Sequence, residues 1–215
     1  MTSAEPQRAP RAVVFDFGGV LITSITHQVG QVAEDHGLPM RTMLEVLMGP
    51  HASGDHPWHR AERGELAVAD IQAGLQPYAD PHGIVLRGDE IAALMRPGGY
   101  TVVREMNDKV TELRSRGYAT ALLTNTFAEF RPTMERDIRF ADFTCVVESF
   151  AVRARKPEPG IYTAAQAMLG VAADEILYLD DFHQNVDAAR ALGWQVIHVP
   201  PNPLEALAEL DALAP

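Results

Sequence analysis

The stretch Val13-Val14-Phe15-Asp16-Phe17-Gly18-Gly19-Val20-Leu21 (VVFDFGGVL) sets one carboxylate at the end of an apolar run and places two glycines directly behind it. Residues 12–17 read as a buried parallel strand, because a strand covered on both faces needs no polar alternation. Similar aliphatic runs, bounded by Gly, Asp or Asn, follow at 119–124, 144–148, 176–179 and 195–199. Between them apolar residues recur at helical spacing: Val102, Val103, Met106, Val110 and Leu113 before the second run, and Ile161, Ala164, Ala165 and Met168 before the fourth. Pro157 and Pro159 mark the start of the later helix, and Gly117 and Gly170 mark helix ends. Strands alternating with helices predict an α/β fold, a doubly wound parallel sheet of the Rossmann-like kind.

The interval 24–96 breaks this alternation. It has helical periodicity and almost no strand-like run, which predicts an all-helical insertion with helices over 25–36, 40–48, 68–78 and 89–95. The expected organisation is a disordered tail over 1–10, an α/β core domain from 11–23 and 97–215, and a helical cap domain over 24–96. Near the C-terminus, Leu204, Leu207 and Leu210 form a stripe at three-residue spacing, expected to pack on the core.

Composition restricts the function. With 215 residues and 47% hydrophobic content, the chain can bury a large core. Its net charge of -11 argues against nucleic acid or an anionic membrane surface as a partner, while a local site can still oppose that charge and take a small anion. Cys145 is the single cysteine and is expected in the core of a strand. The N-terminus lacks the apolar segment of a signal peptide, and no apolar run approaches the roughly 18 residues of a membrane span, so the expected compartment is the reducing cytoplasm. The sequence leaves monomer and homodimer both open.

Ligands of an open parallel sheet bind beyond the carboxyl ends of its strands. Asp16 follows the first run, Thr124-Asn125 end the second, Asp180-Asp181 follow the fourth, and Arg155-Lys156-Pro157 open the helix that feeds it. Each of these also suits a turn or a helix cap. Together they place a nucleophile or metal ligand, a hydroxyl donor, a fixed cation and a carboxylate pair on one rim.

The motifs FDFGGVL, LLTN, RKPEPGIY and YLDDFHQNVDAAR, in this order over nearly the whole chain, resemble the haloacid dehalogenase superfamily, and the helical interval resembles that superfamily's cap. The resemblance implies a Mg²⁺-dependent hydrolase of a small phosphorylated metabolite. It implies Asp16 as nucleophile and metal ligand, Thr124 as hydroxyl donor to a phosphoryl oxygen, and Lys156 as the cation that neutralises nucleophile and transferring group. Asp180, with help from Asp181 and the Gly18 carbonyl, is implied to hold the metal. Gly18, Gly19 and Asn125 are expected to bind the phosphate. Carboxylates, a carbonyl and a phosphate suit Mg²⁺, which takes hard oxygen ligands and keeps several waters. A metal-bound Asp16 stays ionised and can form an aspartyl phosphate, and the glycines let backbone N–H groups approach a phosphate.

Phosphatases of this superfamily usually carry a second aspartate, the general acid and base, where this chain has Gly18, so the likeness is to a phosphatase-like branch with a DxGGV first motif. Losing a general acid costs ~10²–10⁴ in rate, which metal and nucleophile can absorb when the leaving group is good. His27 and His183 are the candidates to replace it, each with the plainer reading of a surface histidine. His51, His56 and His59 read as a cap loop more readily than as a metal site, with Trp58 and Arg60 beside a substrate entrance. Ser149 is expected to cap or orient its loop, and Asn185 to order the loop after Asp181.

Two rivals remain at this stage. A 2-haloacid dehalogenase would use Asp16 as nucleophile without metal, since halide leaves unprotonated; by resemblance it usually has Tyr at the Gly18 position and lacks the full carboxylate arrangement. A phosphate-binding regulator would keep the fold with little turnover.

Overall fold

The computed structural model describes residues 8–24, 26–50, 54–94 and 99–215, and of His27 the backbone alone. Strand β1 (Ala12–Phe15) is followed by helices α1 (Thr26–Asp35), α2 (Met40–Met48), α3 (Pro57–Glu62), α4 (Val68–Ala79) and α5 (Gly88–Leu94). Then come α6 (Arg104–Ser115), β2 (Ala119–Thr124), α7 (Arg131–Asp137), β3 (Cys145–Glu148), α8 (Ser149–Val152) and α9 (Pro159–Leu169). The chain ends with β4 (Ile176–Asp180), α10 (His183–Ala191), β5 (Gln195–His198) and α11 (Leu207–Leu213). The five strands form one parallel sheet in the order β3-β2-β1-β4-β5, which is the expected α/β, Rossmann-like architecture.

Side-chain alternation builds a layer on each face of the sheet. Val13, Phe15, Leu122, Leu177 and Leu179 pack with Met106, Val110 and Leu113 of α6 and Leu210 of α11. Val14, Ala121, Leu123 and Tyr178 pack on the other face with Ile161, Tyr162 and Ala165 of α9 and with Trp194. Helices α1 to α5 gather around a third core that includes Val29, Met43, Leu47, Trp58, Ile71 and Leu75, joined by Phe127 from the segment after β2.

Several local expectations differ from the structure. A further helix, α3, lies between the expected helices over 40–48 and 68–78; Pro57 is its first residue and His56 its N-cap, because proline's fixed φ suits a helix start. In α9 the stripe is Ile161, Tyr162, Ala165 and Leu169, while Met168 is exposed. Leu204 is also exposed, since Pro203–Ala206 is a separate 3-10 turn and only Leu207 and Leu210 of the expected stripe pack inward. Cys145 opens an edge strand and is half-buried. Within the expected tail, the Arg8 carbonyl accepts from Gln195 Nε2 at 2.7 Å and Pro10 is buried, so the packed chain starts before residue 11.

Candidate active site

Asp16 leaves the sheet one residue after β1, where its N–H donates to the Leu179 carbonyl of β4 at 2.9 Å. That hydrogen bond sets Asp16 beside Asp180, the last residue of β4, at the point where the strand order reverses direction. Lys156 Nζ lies 2.7 Å from Asp16 Oδ1 and 2.7 Å from Asp180 Oδ2, and all three side chains are buried. Asn125 holds the lysine's backbone at both ends: its Oδ1 accepts from Lys156 N at 2.7 Å and its Nδ2 donates to the Lys156 carbonyl at 3.0 Å.

Asp180 is saturated. Its oxygens take Lys156 Nζ, the Tyr178 hydroxyl, Phe182 N at 2.8 Å, and Asn185 Nδ2 at 3.0 and 3.1 Å. Asp181 differs, since its buried Oδ1 has no hydrogen-bond partner. Gly19, at φ 72°, makes room for that side chain: a Cβ there would meet Asp181 Oδ2 at 2.2 Å. Gly18 carries no such constraint, because nothing lies within 4 Å of the Cβ it lacks.

Oxygens of Asp16, Asp180 and Asp181 lie within 4.8 Å of one another, the only such acidic or histidine cluster among the described residues. Burial pushes the Asp16 carboxyl well above the usual carboxylate range; Lys156 opposes this, while Asp180 and Asp181 add to it. Burial, and then Asp180, push Asp181 up to about 7, again against Lys156. For Lys156, burial works against the ammonium, but Asp16 and Asp180 outweigh it and hold its pKa above the ordinary value. Three clustered carboxylates share one ammonium, two of them are held above their usual range, and one buried Asp181 oxygen has no donor. This donor set fits a hard divalent cation.

A cavity of about 140 Å³ opens beside these groups. Asp16, Gly18, Thr124, Asn125 and Lys156 reach it from the carboxyl edge of the sheet, and Met48, Trp58, Glu62 and Leu94 from the helical segment. Asp180 and Asp181 are not among the residues that line it.

The other expected residues fall into place unevenly. Trp58 lines the cavity, whereas Arg60 points to Asp55 at 3.7 Å. His56 and His59 are buried with ring centroids 5.4 Å apart, and burial lowers their pKa values to about 4 and about 3. His51 and the His27 side chain lie outside the described residues. His183 is exposed at the start of α10, stacked on His198 with centroids 3.6 Å apart, and does not reach the cavity. Ser149 orients the segment after β2 by accepting from Thr126 N at 2.9 Å and donating to its carbonyl at 3.1 Å. Asn185 holds Asp180 itself.

Two participants escape a reading of the sequence. Tyr178 looks like one more core residue of a strand, yet its hydroxyl donates to Asp180. Glu62 looks like a solvated helix residue, yet it is buried against Arg155 Nε at 2.5 Å and Trp58 Nε1 at 3.0 Å. The Trp58–Glu62 spacing of one helical turn was the available signal.

The family profile of haloacid dehalogenase-like hydrolases matches residues 10–193. The chain belongs to this family. Among curated proteins it is 30% identical over 96% of its length to mouse acyl-CoA dehydrogenase family member 10, of which it spans only 19%. It is 27% identical over 88% of its length to the sesquiterpene phosphatase astK of Aspergillus oryzae, covering 89% of that protein. Among solved structures, a haloacid dehalogenase family enzyme of Bacteroides thetaiotaomicron in complex with magnesium and inorganic phosphate superposes with a TM-score of 0.62 at 20% identity, over 90% of this chain and 96% of that one. The L-2-haloacid dehalogenase of Xanthobacter autotrophicus superposes with a TM-score of 0.63 at 20% identity, over 96% and 85%. The magnesium- and phosphate-bound enzyme and the dehalogenase are therefore equally near in fold, and the choice of reaction rests on the site.

Proposed function

We propose that this haloacid dehalogenase-like hydrolase is a Mg²⁺-dependent phosphomonoesterase of a small phosphorylated metabolite, with residues 24–96 as a cap over the cleft of an α/β core formed by 11–23 and 97–215. The observation that carries this reading is the cluster of three carboxylates beside one buried lysine, with the buried Asp181 Oδ1 unpartnered. Without a metal, burial and the neighbouring carboxylates would draw Asp16 and Asp181 towards the protonated form, and a protonated Asp16 is a poor nucleophile for either reaction, whereas a bound cation keeps both ionised. The magnesium and phosphate bound by the Bacteroides neighbour and the phosphatase activity named for astK support the same choice.

Asp16 and Asp181 would hold the ion, with the Gly18 carbonyl, while Asp180 is engaged in fixing Lys156. When bound, Mg²⁺ supplies charge neutralisation for the phosphoryl group and keeps the carboxylates ionised. The hydrogen bonds to Asp16 from Phe17 N and Lys156 both fall on Oδ1, so Oδ2 is the attacking atom. It forms a bond to phosphorus as the ester P–O bond breaks, and the electron pair leaves with the alcohol oxygen, which takes a proton from solvent. Water then attacks the aspartyl phosphate, releasing inorganic phosphate and restoring the carboxylate. Lys156 and Thr124 stabilise charge on the transferring group, and the backbone at Gly18, Gly19 and Asn125 positions it.

The test is a screen of sugar phosphates, nucleotides and small acid phosphates, with Mg²⁺ and with excess chelator, beside 2-chloropropionate. Phosphate release that needs Mg²⁺ is expected. Chloride release in chelator would replace this reading with the dehalogenase, and phosphate binding without turnover would replace it with the regulator.

A further inference from the structure

The cavity is chemically divided. Beside the reacting end at Asp16, Thr124 and Lys156, the cavity has an apolar wall of Met48, Trp58 and Leu94 from the helical segment and Phe130 from the core, while Ile22 and Phe182 adjoin the reacting end itself. Trp58 and Leu94 are buried, so this wall is part of the packed protein. The charged residues on this side, Glu62 and Arg155, are paired with each other at 2.5 Å and sealed from solvent. The indole N–H of Trp58 is engaged by Glu62 as well. Among the described residues Ser24, Thr26 and Thr126 add hydroxyls to this lining, and that of Thr126 already donates to Met134 Sδ.

A substrate hydroxyl brought against Met48, Trp58, Leu94 or Phe130 would lose its water without gaining a partner, at a cost of about 1–3 kcal/mol. An apolar group gains by the same transfer.

We propose that the substrate is the monophosphate ester of a small apolar alcohol. This specificity rests on the phosphatase reading above. Trp58 and Met48 are its determinants from the helical segment, and Phe130 is that from the core.

The experiment compares kcat/KM for 3-methylbutyl phosphate, glycerol 3-phosphate and glucose 6-phosphate with Mg²⁺. All three release a primary alkoxide, so the comparison isolates binding from leaving-group chemistry. Acetyl phosphate, which presents almost no organic part, reports on the chemistry alone. The apolar ester is expected to lead both polar ones by about 10–200-fold, the range set by small apolar contacts, mostly through KM. Met48→Gln, at a half-buried position whose shape glutamine preserves, should lower that ratio about tenfold while leaving the melting temperature within a few degrees of wild type. A wild-type ratio at or below one, with acetyl phosphate hydrolysed, would overturn the specificity and leave the phosphatase standing. Failure on all four substrates would overturn both.

Discussion

Glu62 Oε2 accepts a hydrogen bond from Arg155 Nε at 2.5 Å, across 93 residues of chain, with the two side chains 6% and 5% exposed. Arg155 directly precedes Lys156, so helix α3 is tied to the backbone that delivers the active-site lysine. Arg63, just past α3, reinforces the tie through Glu158 at 3.1 Å, and Glu158 Oε2 in turn accepts from Arg155 N at 3.1 Å. The helical segment thereby bears on both the wall of the cavity and the position of Lys156.

Glu62→Gln should therefore destabilise the protein by about 3–5 kcal/mol, the usual cost of removing one partner from a buried ion pair. Urea unfolding of wild type and variant measures it. A change below about 1 kcal/mol, the worth of an exposed pair, would show that solvent enters this contact.

Asp16→Asn should abolish phosphate release while the fold persists. A neutral amide is a poor nucleophile, and the exchange removes a carboxylate whose ionisation burial already disfavours. Melting temperature and turnover measured together test this, and activity near wild type would remove Asp16 from the covalent role.

Asp180→Asn and Asp181→Asn should fail in different ways. Asp181→Asn should raise the Mg²⁺ concentration needed for half-maximal activity with little loss of stability, because the unpartnered oxygen is the one it removes. Asp180→Asn should lower stability and turnover together, because it removes the charge that Lys156 and three other donors share. Metal titrations beside thermal melts separate the two, and identical behaviour would rule out this division of labour.

Gly18→Asp should fold, since nothing lies within 4 Å of the new Cβ and the backbone there is not left-handed. A carboxyl at this position supplies the acid that the chain lacks, so alkyl phosphates should accelerate by up to ~10²–10⁴ while aryl phosphates change little. A series of esters spanning leaving-group pKa should flatten in the variant. An unchanged slope would mean that wild type already protonates its leaving group from another residue.

Acid should weaken the packing of α3. His56 and His59 have folded-state pKa values of about 4 and about 3, below the ordinary 6.5, so protons bind the unfolded chain more tightly. Their contribution is fully present above pH 6.5 and is lost as pH falls from there towards 3. His59→Leu should flatten the stability profile in that window; a profile as steep as wild type would assign the acid loss to other groups.

The sequence by itself determined the architecture and the chemistry-bearing rim. Apolar runs too uniform for a half-exposed sheet imply strands covered on both faces, and their spacing by helical segments leaves a parallel sheet as the way to pair them. Such a sheet carries Asp16, Thr124, Lys156 and Asp180 to one edge, because residues that follow parallel strands emerge on the same side. Tertiary structure alone decided how those groups share their work. Asp180 and Asp181 are adjacent and chemically identical in the sequence, yet Tyr178, Asn185, Phe182 and Lys156 saturate the first while Gly19 gives the second space and no donor to one buried oxygen. Glu62 and Arg155 each look solvent-bound until the helical segment folds over the sheet and removes both from water. Burial and hydrogen-bond saturation depend on contacts between residues far apart in the chain, so no local pattern encodes them, whereas strand and helix periodicity is local and can be read directly.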